Sequence, residues 1–268
     1  MEKLQVGVCN YSDYRPPEGW KERYVSKLQA YTDAFSTVEL NRTFYKLPQV
    51  KTAEKWRENA CEGFVFCMKA WQALTHPTWS PTWRKRTSQV PDEWQKDVGW
   101  LRPTEANRWA WQQTRDIADA LDAEIVVLQC PPSFKPTDKH VGNMRAFLES
   151  IDRGGHTLAW EPRGDFEEET DLIVELCDEL DLLHVVDPFR NDVLTAKPDA
   201  YVRLHGNNEP LTDFDYKYTD AELAELATIL DGLCERHERV WCMFNNFEKF
   251  DDAQRLLRLM QGGLDASE

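Results

Sequence analysis

The chain has 268 residues, with 47 acidic against 32 basic side chains and a formal charge of −15. A chain of this length buries roughly three quarters of its unfolded surface, so a core needs neither a disulfide nor a structural metal. Its 41% hydrophobic and 29% charged residues exclude a disordered chain.

The apolar runs, such as that within Glu124–Gln129, fall far short of the roughly 20 residues a membrane helix needs. The opening residues carry neither the basic start nor the apolar stretch of a secretory signal, which points to the cytosol. Seven cysteines, at 9, 61, 67, 130, 177, 234 and 242, include no C-x-x-C pair and read as buried free thiols. The acidic balance repels nucleic acid unless a basic patch is segregated.

In chain order, strand-like runs fall at 4–9, 36–41, 64–69, 124–130, 156–162, 182–187, 200–206 and 239–245. Amphipathic helices are predicted over 20–34, 50–60, 105–121, 138–152, 167–180, 219–236 and 249–261. Within them, Leu223, Leu226, Ile229, Leu230 and Leu233 recur at helical spacing, and Thr219 supplies an N-cap. This alternation predicts an α/β fold, a (β/α)8 TIM-type barrel forming a single domain over 1–268; an open doubly wound sheet is the competing fold.

Two connections break the regularity. The sixth and seventh strands are joined by only 188–199, too short for a full crossover helix. The third and fourth are joined by 70–123, which holds tryptophans at 71, 79, 83, 94, 100, 109 and 111, out of 11 in the chain. Residues 70–104 of that connection read as a Trp-rich insert, either a functional lid or a small subdomain.

Alternate residues of a barrel strand face its interior, and active sites collect at the carboxyl ends. That parity places Tyr201, Arg203 and His205 inward on one strand and Thr37, Glu39 and Asn41 on another. It adds Asn10, Lys69, Gln129, Glu161, Arg163 and Asp187 from the remaining strands. Ionised groups in such a place are costly unless they pair or serve a ligand, so mutual neutralisation and a binding site are the two readings.

The blocks FSTVELNRTFYKLP (35–48), GFVFCMKAWQALTH (63–76), VLQCPPSF (127–134), WEPR (160–163), YVRLHG (201–206) and FNN (244–246) resemble, in order, those of the YecE-like family, domain of unknown function seventy-two. The resemblance implies a TIM-type barrel and no particular reaction. It singles out Glu39, Asn41, Thr43, Tyr45, Lys69, His76, Gln129, Pro131, Pro132, Glu161, Arg163, Arg203, His205, Gly206, Asn245 and Asn246. The chain departs from it at Asn10-Tyr11, where Gly-Trp is usual, and at Gly164, where histidine commonly follows the arginine.

These residues carry recognisable chemistry. Glu39, Lys69, Glu161, Asp187 and His205 are the candidate catalytic groups: carboxylates and imidazole for proton transfer, lysine as a Schiff-base former or, more in keeping with its ordinary pKa, an electrostatic clamp. Asn10, Asn41, Tyr45, His76, Gln129, Arg163, Arg203, Asn245 and Asn246 are candidates for substrate binding, the arginines suiting phosphate or carboxylate. His76 is either a group that closes over the site or a surface loop histidine. Glu39, Glu161, Asp187 and His205 are also of the types that hold a divalent metal, although no short-range ligand pair fixes one. No glycine-rich nucleotide motif or nucleophile elbow occurs, so neither a nucleotide nor a redox cofactor is indicated. The expectation is an enzyme, of hydrolase or isomerase/lyase type, that acts on a small polar molecule, anionic or sugar-like, by acid–base chemistry, with or without the help of a divalent metal. The alternative is a noncatalytic module in which Trp79, Trp83, Arg84, Lys85, Arg86, Trp94, Trp100 and Arg102 bind single-stranded nucleic acid or a glycan.

Overall fold

The computed structural model describes residues 3–84, 89–208 and 214–262. Among them are eight parallel strands: β1 (Leu4–Cys9), β2 (Thr37–Leu40), β3 (Val65–Lys69), β4 (Ala123–Gln129), β5 (Thr157–Glu161), β6 (Leu182–Val186), β7 (Asp199–Leu204) and β8 (Arg239–Phe244). They pair in chain order as a closed barrel, which decides against the open doubly wound sheet. No helix of the described residues is long and apolar enough to cross a membrane. The chain divides into two compact units, Met1–Glu39 with Val185–Glu268, and Leu40–His184.

In the first unit, β8 lies between β1 and β7, with Leu4 opposite Val240 and Tyr201 opposite Trp241. Its helices are α1 (Lys27–Ala34), α7 (Asp220–Arg236) and α8 (Lys249–Met260). Thr219 starts α7 with a capping box: its hydroxyl accepts from the Glu222 amide, and the Glu222 carboxylate accepts in return from the Thr219 amide. Leu223, Leu226, Ala227, Leu230 and Leu233 then bury one stripe of that helix. The predicted helix over 20–34 is interrupted. Only Trp20–Glu22 forms a 3-10 turn before Ser26 accepts from the Gln29 amide and starts α1 afresh. Between β6 and β7 there is no helix, only a turn after Asp187 and extended chain.

The second unit contains α2 (Arg42–Tyr45), α3 (Val50–Asn59), α4 (Glu105–Leu121), α5 (Asp138–Ser150) and α6 (Thr170–Glu179). Helix α2 was not foreseen; one turn is too short to leave a hydrophobic period. Residues 70–104 fold as turns and short 3-10 helices at Pro81–Arg84 and Asp92–Trp94. The segment is stitched to itself, because the amides of Gly99, Trp100 and Leu101 donate to the carbonyls of Ala73, Thr75 and Leu74. The Asn107 side chain, wholly buried, joins Gly99 and Arg102 to the first turn of α4.

Candidate active site

In the first unit, the end of β2 places Glu39 where no solvent reaches it. Such a carboxylate must be paired or protonated. Here three donors meet it: the Tyr201 hydroxyl at 2.8 Å on Oε2, and Arg203 Nη2 at 2.9 Å and Cys9 Sγ at 3.3 Å on Oε1. Arg203, itself 1% exposed, extends the chain, since its Nη1 lies 3.4 Å from His205 Nε2. A guanidinium only donates, so Nε2 accepts and the ring proton belongs on Nδ1. That nitrogen faces Asp187 Oδ2 at 3.4 Å, and the same oxygen accepts from the His205 amide at 3.1 Å. Asp187 is further held by the Phe189 amide and by Arg190, whose Nε lies 3.9 Å away.

The result is one continuous path, Glu39 to Arg203 to His205 to Asp187 to Arg190. It runs from a side chain with 0% exposure to one with 23%. His205 and Asp187, both buried, stand between the enclosed Glu39 and the part-exposed Arg190.

The turn after β7 is equally constrained. Gly206 has φ +96°, and a Cβ there would lie 2.5 Å from Tyr216 Cβ, so no other residue fits. Its amide donates to the Tyr218 hydroxyl, and its carbonyl accepts from Arg190.

Cys9 was not among the expected site residues, whereas Asn10 was. The alternation of β1 stops at Cys9 because Asn10 turns to φ +72° and bonds its side chain to Ser12. β1 brings Cys9 to the carboxylate because Cys9 stands in register with Glu39 on β2. Burial, reinforced by the Glu39 charge, raises the Cys9 thiol well above its ordinary range, so it acts as a donor and not as a thiolate nucleophile. Of the two asparagines after β8, Asn245 bonds its amide to the Leu204 carbonyl. Asn246 is buried and ties Tyr216 to Asp252. Burial raises the Asp252 carboxyl above its usual range. Asn246 thus fixes the loop.

In the second unit, Lys69 ends β3 with its ammonium against Gln129 Oε1 and 4.2 Å from the centre of the Phe44 ring. Thr43 ties the start of α2 to that strand by donating to the carbonyls of Leu40 and Lys69. Asn41 opens α2 and Tyr45 closes it, the latter half-buried with its ring edge-on to Phe44. At the end of β5 the buried Glu161 is paired with Arg163.

His76 is neither a surface histidine nor a free flap. It is buried, held by the Thr75 hydroxyl at 2.8 Å and set edge-on to Phe44 at 4.9 Å. Burial, with help from the Lys69 charge, pushes its pKa down to about 3, so the ring is neutral. His184, in the middle of β6, was also unforeseen. Burial pushes it down to about 4 against the opposing pull of Glu161.

No group of three or more His, Cys, Asp or Glu side chains able to hold a metal ion occurs among the described residues. The four candidates are committed otherwise, Glu39 to Arg203, Glu161 to Arg163, and Asp187 to His205.

The tryptophans of the 70–111 region mostly pack on one another. Trp71 meets Trp83 and Trp109, Trp109 meets Trp94, and Trp100 meets Trp79 and His140. Of these, Trp79 alone is mainly exposed, and Lys85 and Arg86 lie outside the described residues.

Eight parallel strands closed into a barrel, with buried polar groups at the strands' carboxyl ends, define a TIM-barrel protein. The chain belongs to the family described as protein of unknown function DUF72, whose model matches residues 5–267. It is 22% identical to UPF0759 protein YunF of Bacillus subtilis, over 96% of this chain and 94% of YunF. The crystal structure of a DUF72 family protein from Enterococcus faecalis superposes with a TM-score of 0.70 at 18% identity, covering 99% of this chain and 98% of that one. A D-tagatose 3-epimerase-like protein shares the fold at a TM-score of 0.54 and 16% identity, with 97% of each chain covered.

Proposed function

We propose that the protein is an enzyme that transfers protons to and from a small polar molecule, anionic or sugar-like, with His205 as acid and base. The observation that carries this reading is the unbroken path from Glu39 through Arg203 to His205 and Asp187. Asp187 orients the imidazole; Nε2 takes a substrate proton once its hydrogen bond from Arg203 Nη1 is released, and the Asp187 charge stabilises the imidazolium that forms. Arg203, anchored by Glu39, lies beside that nitrogen and offers positive charge to an oxyanion developing on the substrate. A sugar-like substrate is further supported, by analogy of fold alone, by the barrel shared with the D-tagatose 3-epimerase-like protein.

The test is incubation of the purified protein in deuterated water with aldoses, ketoses and their phosphates, read by NMR for exchange of carbon-bound protons and for new isomers. At least one compound should exchange, and His205→Asn should slow it by about 10²-fold or more. A wild type that turns over no member, or a His205→Asn variant that keeps the rate, overturns the reading.

A further inference from the structure

Two loops beside His205 hold a pair of aromatic rings out in solvent. Phe214 is 41% exposed and Phe247 72% exposed. The Phe247 amide donates to the Phe214 carbonyl at 2.7 Å, so the two residues are neighbours, and the Phe214 ring centre lies 6.0 Å from that of His205.

Their exposure does not reflect a loop without a core. The adjoining aromatics are all packed: Tyr218, 1% exposed, stacks on Phe189 at 5.6 Å and meets Phe244 and Tyr216 edge-on. The described backbone next to the two rings is hydrogen-bonded. Asn208 Nδ2 donates to the Asp215 carbonyl at 2.6 Å, the Tyr216 amide to the Phe214 carbonyl at 2.9 Å, and Asn246 to the Tyr216 carbonyl at 2.8 Å. Two large apolar rings side by side along the backbone and exposed next to His205 are a candidate contact surface.

The partner is small. A stable protein interface takes about 800 Å² from each side, whereas in this unit the other large apolar residue exposed among the described residues is Val25. The surroundings on the His205 side are polar, with Asp187 and Arg190 in reach of a ligand's hydroxyls or charge. Exposed aromatic rings next to hydrogen-bonding groups fit a ring that has a C–H face on one side and hydroxyls at its edge.

We propose that Phe214 and Phe247 form the stacking subsite for the C–H face of a sugar ring whose hydroxyls reach His205 and Asp187. This rests on the reading of His205 as acid and base, and it assigns to that site a substrate in cyclic form.

The experiment compares wild type, Phe214→Ala with Phe247→Ala, Phe214→Trp and His205→Asn on the sugar or sugar phosphate that exchanges fastest. The double alanine variant should raise KM about tenfold, equivalent to ~1.4 kcal/mol, with kcat nearly unchanged, and Phe214→Trp should keep KM within about twofold of wild type. Saturation transfer from protein to ligand should be strongest at protons on one face of the ring and should fade in the double variant. An unchanged KM in the double variant, while His205→Asn loses turnover, overturns the stacking subsite and leaves the acid–base reading standing. Undiminished turnover in His205→Asn overturns that reading and this inference with it. A concentration-dependent dimer in sedimentation that the double variant abolishes also overturns the subsite, because the rings then serve a second copy of the chain.

Discussion

Arg203 and Glu39 form an ion pair at 2.9 Å with side-chain exposures of 1% and 0%. Removing one member of such a pair strands the other charge in low dielectric. Glu39→Gln is therefore expected to cost about 3–5 kcal/mol, whereas replacing both residues by apolar ones of similar volume should cost far less or nothing. Urea unfolding of Glu39→Gln and of the Glu39→Leu, Arg203→Met and Glu39→Leu/Arg203→Met variants checks this. Additive losses would show that the pair is not coupled.

The two buried neutral histidines make stability depend on pH. His184 titrates at about 4 and His76 at about 3 in the folded chain, against roughly 6.5 for an exposed imidazole. Between those values and 6.5 the unfolded chain binds protons that the folded chain refuses. Their contribution is therefore complete above pH 6.5 and is lost as the pH falls toward the folded values. At pH 5 each histidine should account for about 2 kcal/mol of lost stability. The drop between pH 7 and pH 5 should accordingly be smaller by about that amount in His184→Gln. Equal drops in the two proteins would show that His184 is not neutral when folded.

The same residues show where sequence reasoning reaches and where it stops. Strand positions were legible because runs such as LQVGVC and RVWCMF are apolar stretches between turn signals, and β1 and β8 formed over nearly those residues. The parity of β7 was legible too, and Tyr201, Arg203 and His205 lie along one buried network. Parity failed on β1 because its phase was read one residue off: Cys9, not Asn10, stands in register with Glu39 and meets its carboxylate. His184 was invisible because one histidine in an apolar strand leaves no periodic mark. Pairing was beyond the sequence as well, since Glu39 and Arg203 are separated by 164 positions.

Gly164 tests a departure from the family blocks, which commonly carry histidine after the arginine. Here the residue has φ +66°, and an added Cβ would lie 3.0 Å from Pro132 Cβ. A side chain must adopt the left-handed region and push against the proline ring. Gly164→His should therefore lower stability by about 1–3 kcal/mol, seen as a fall in Tm. An unchanged Tm would show that the Pro132 loop yields without cost.

The tryptophans of the 70–111 region separate packing from recognition. Trp71 is 1% exposed and meets Trp83 and Trp109, while Trp79 is 66% exposed and meets Trp100. If the region is a packed extension of its unit, Trp71→Ala opens a cavity and should cost about 3–5 kcal/mol. Trp79→Ala, at the surface, should cost about 0.5 kcal/mol or less. Thermal unfolding of both variants reads the first difference. Fluorescence titration of the wild type with single-stranded oligonucleotides and with oligosaccharides reads the second, and no saturable change is expected. Saturable quenching that Trp79→Ala removes would instead assign the exposed ring to a ligand and restore the stacking platform that the sequence suggested.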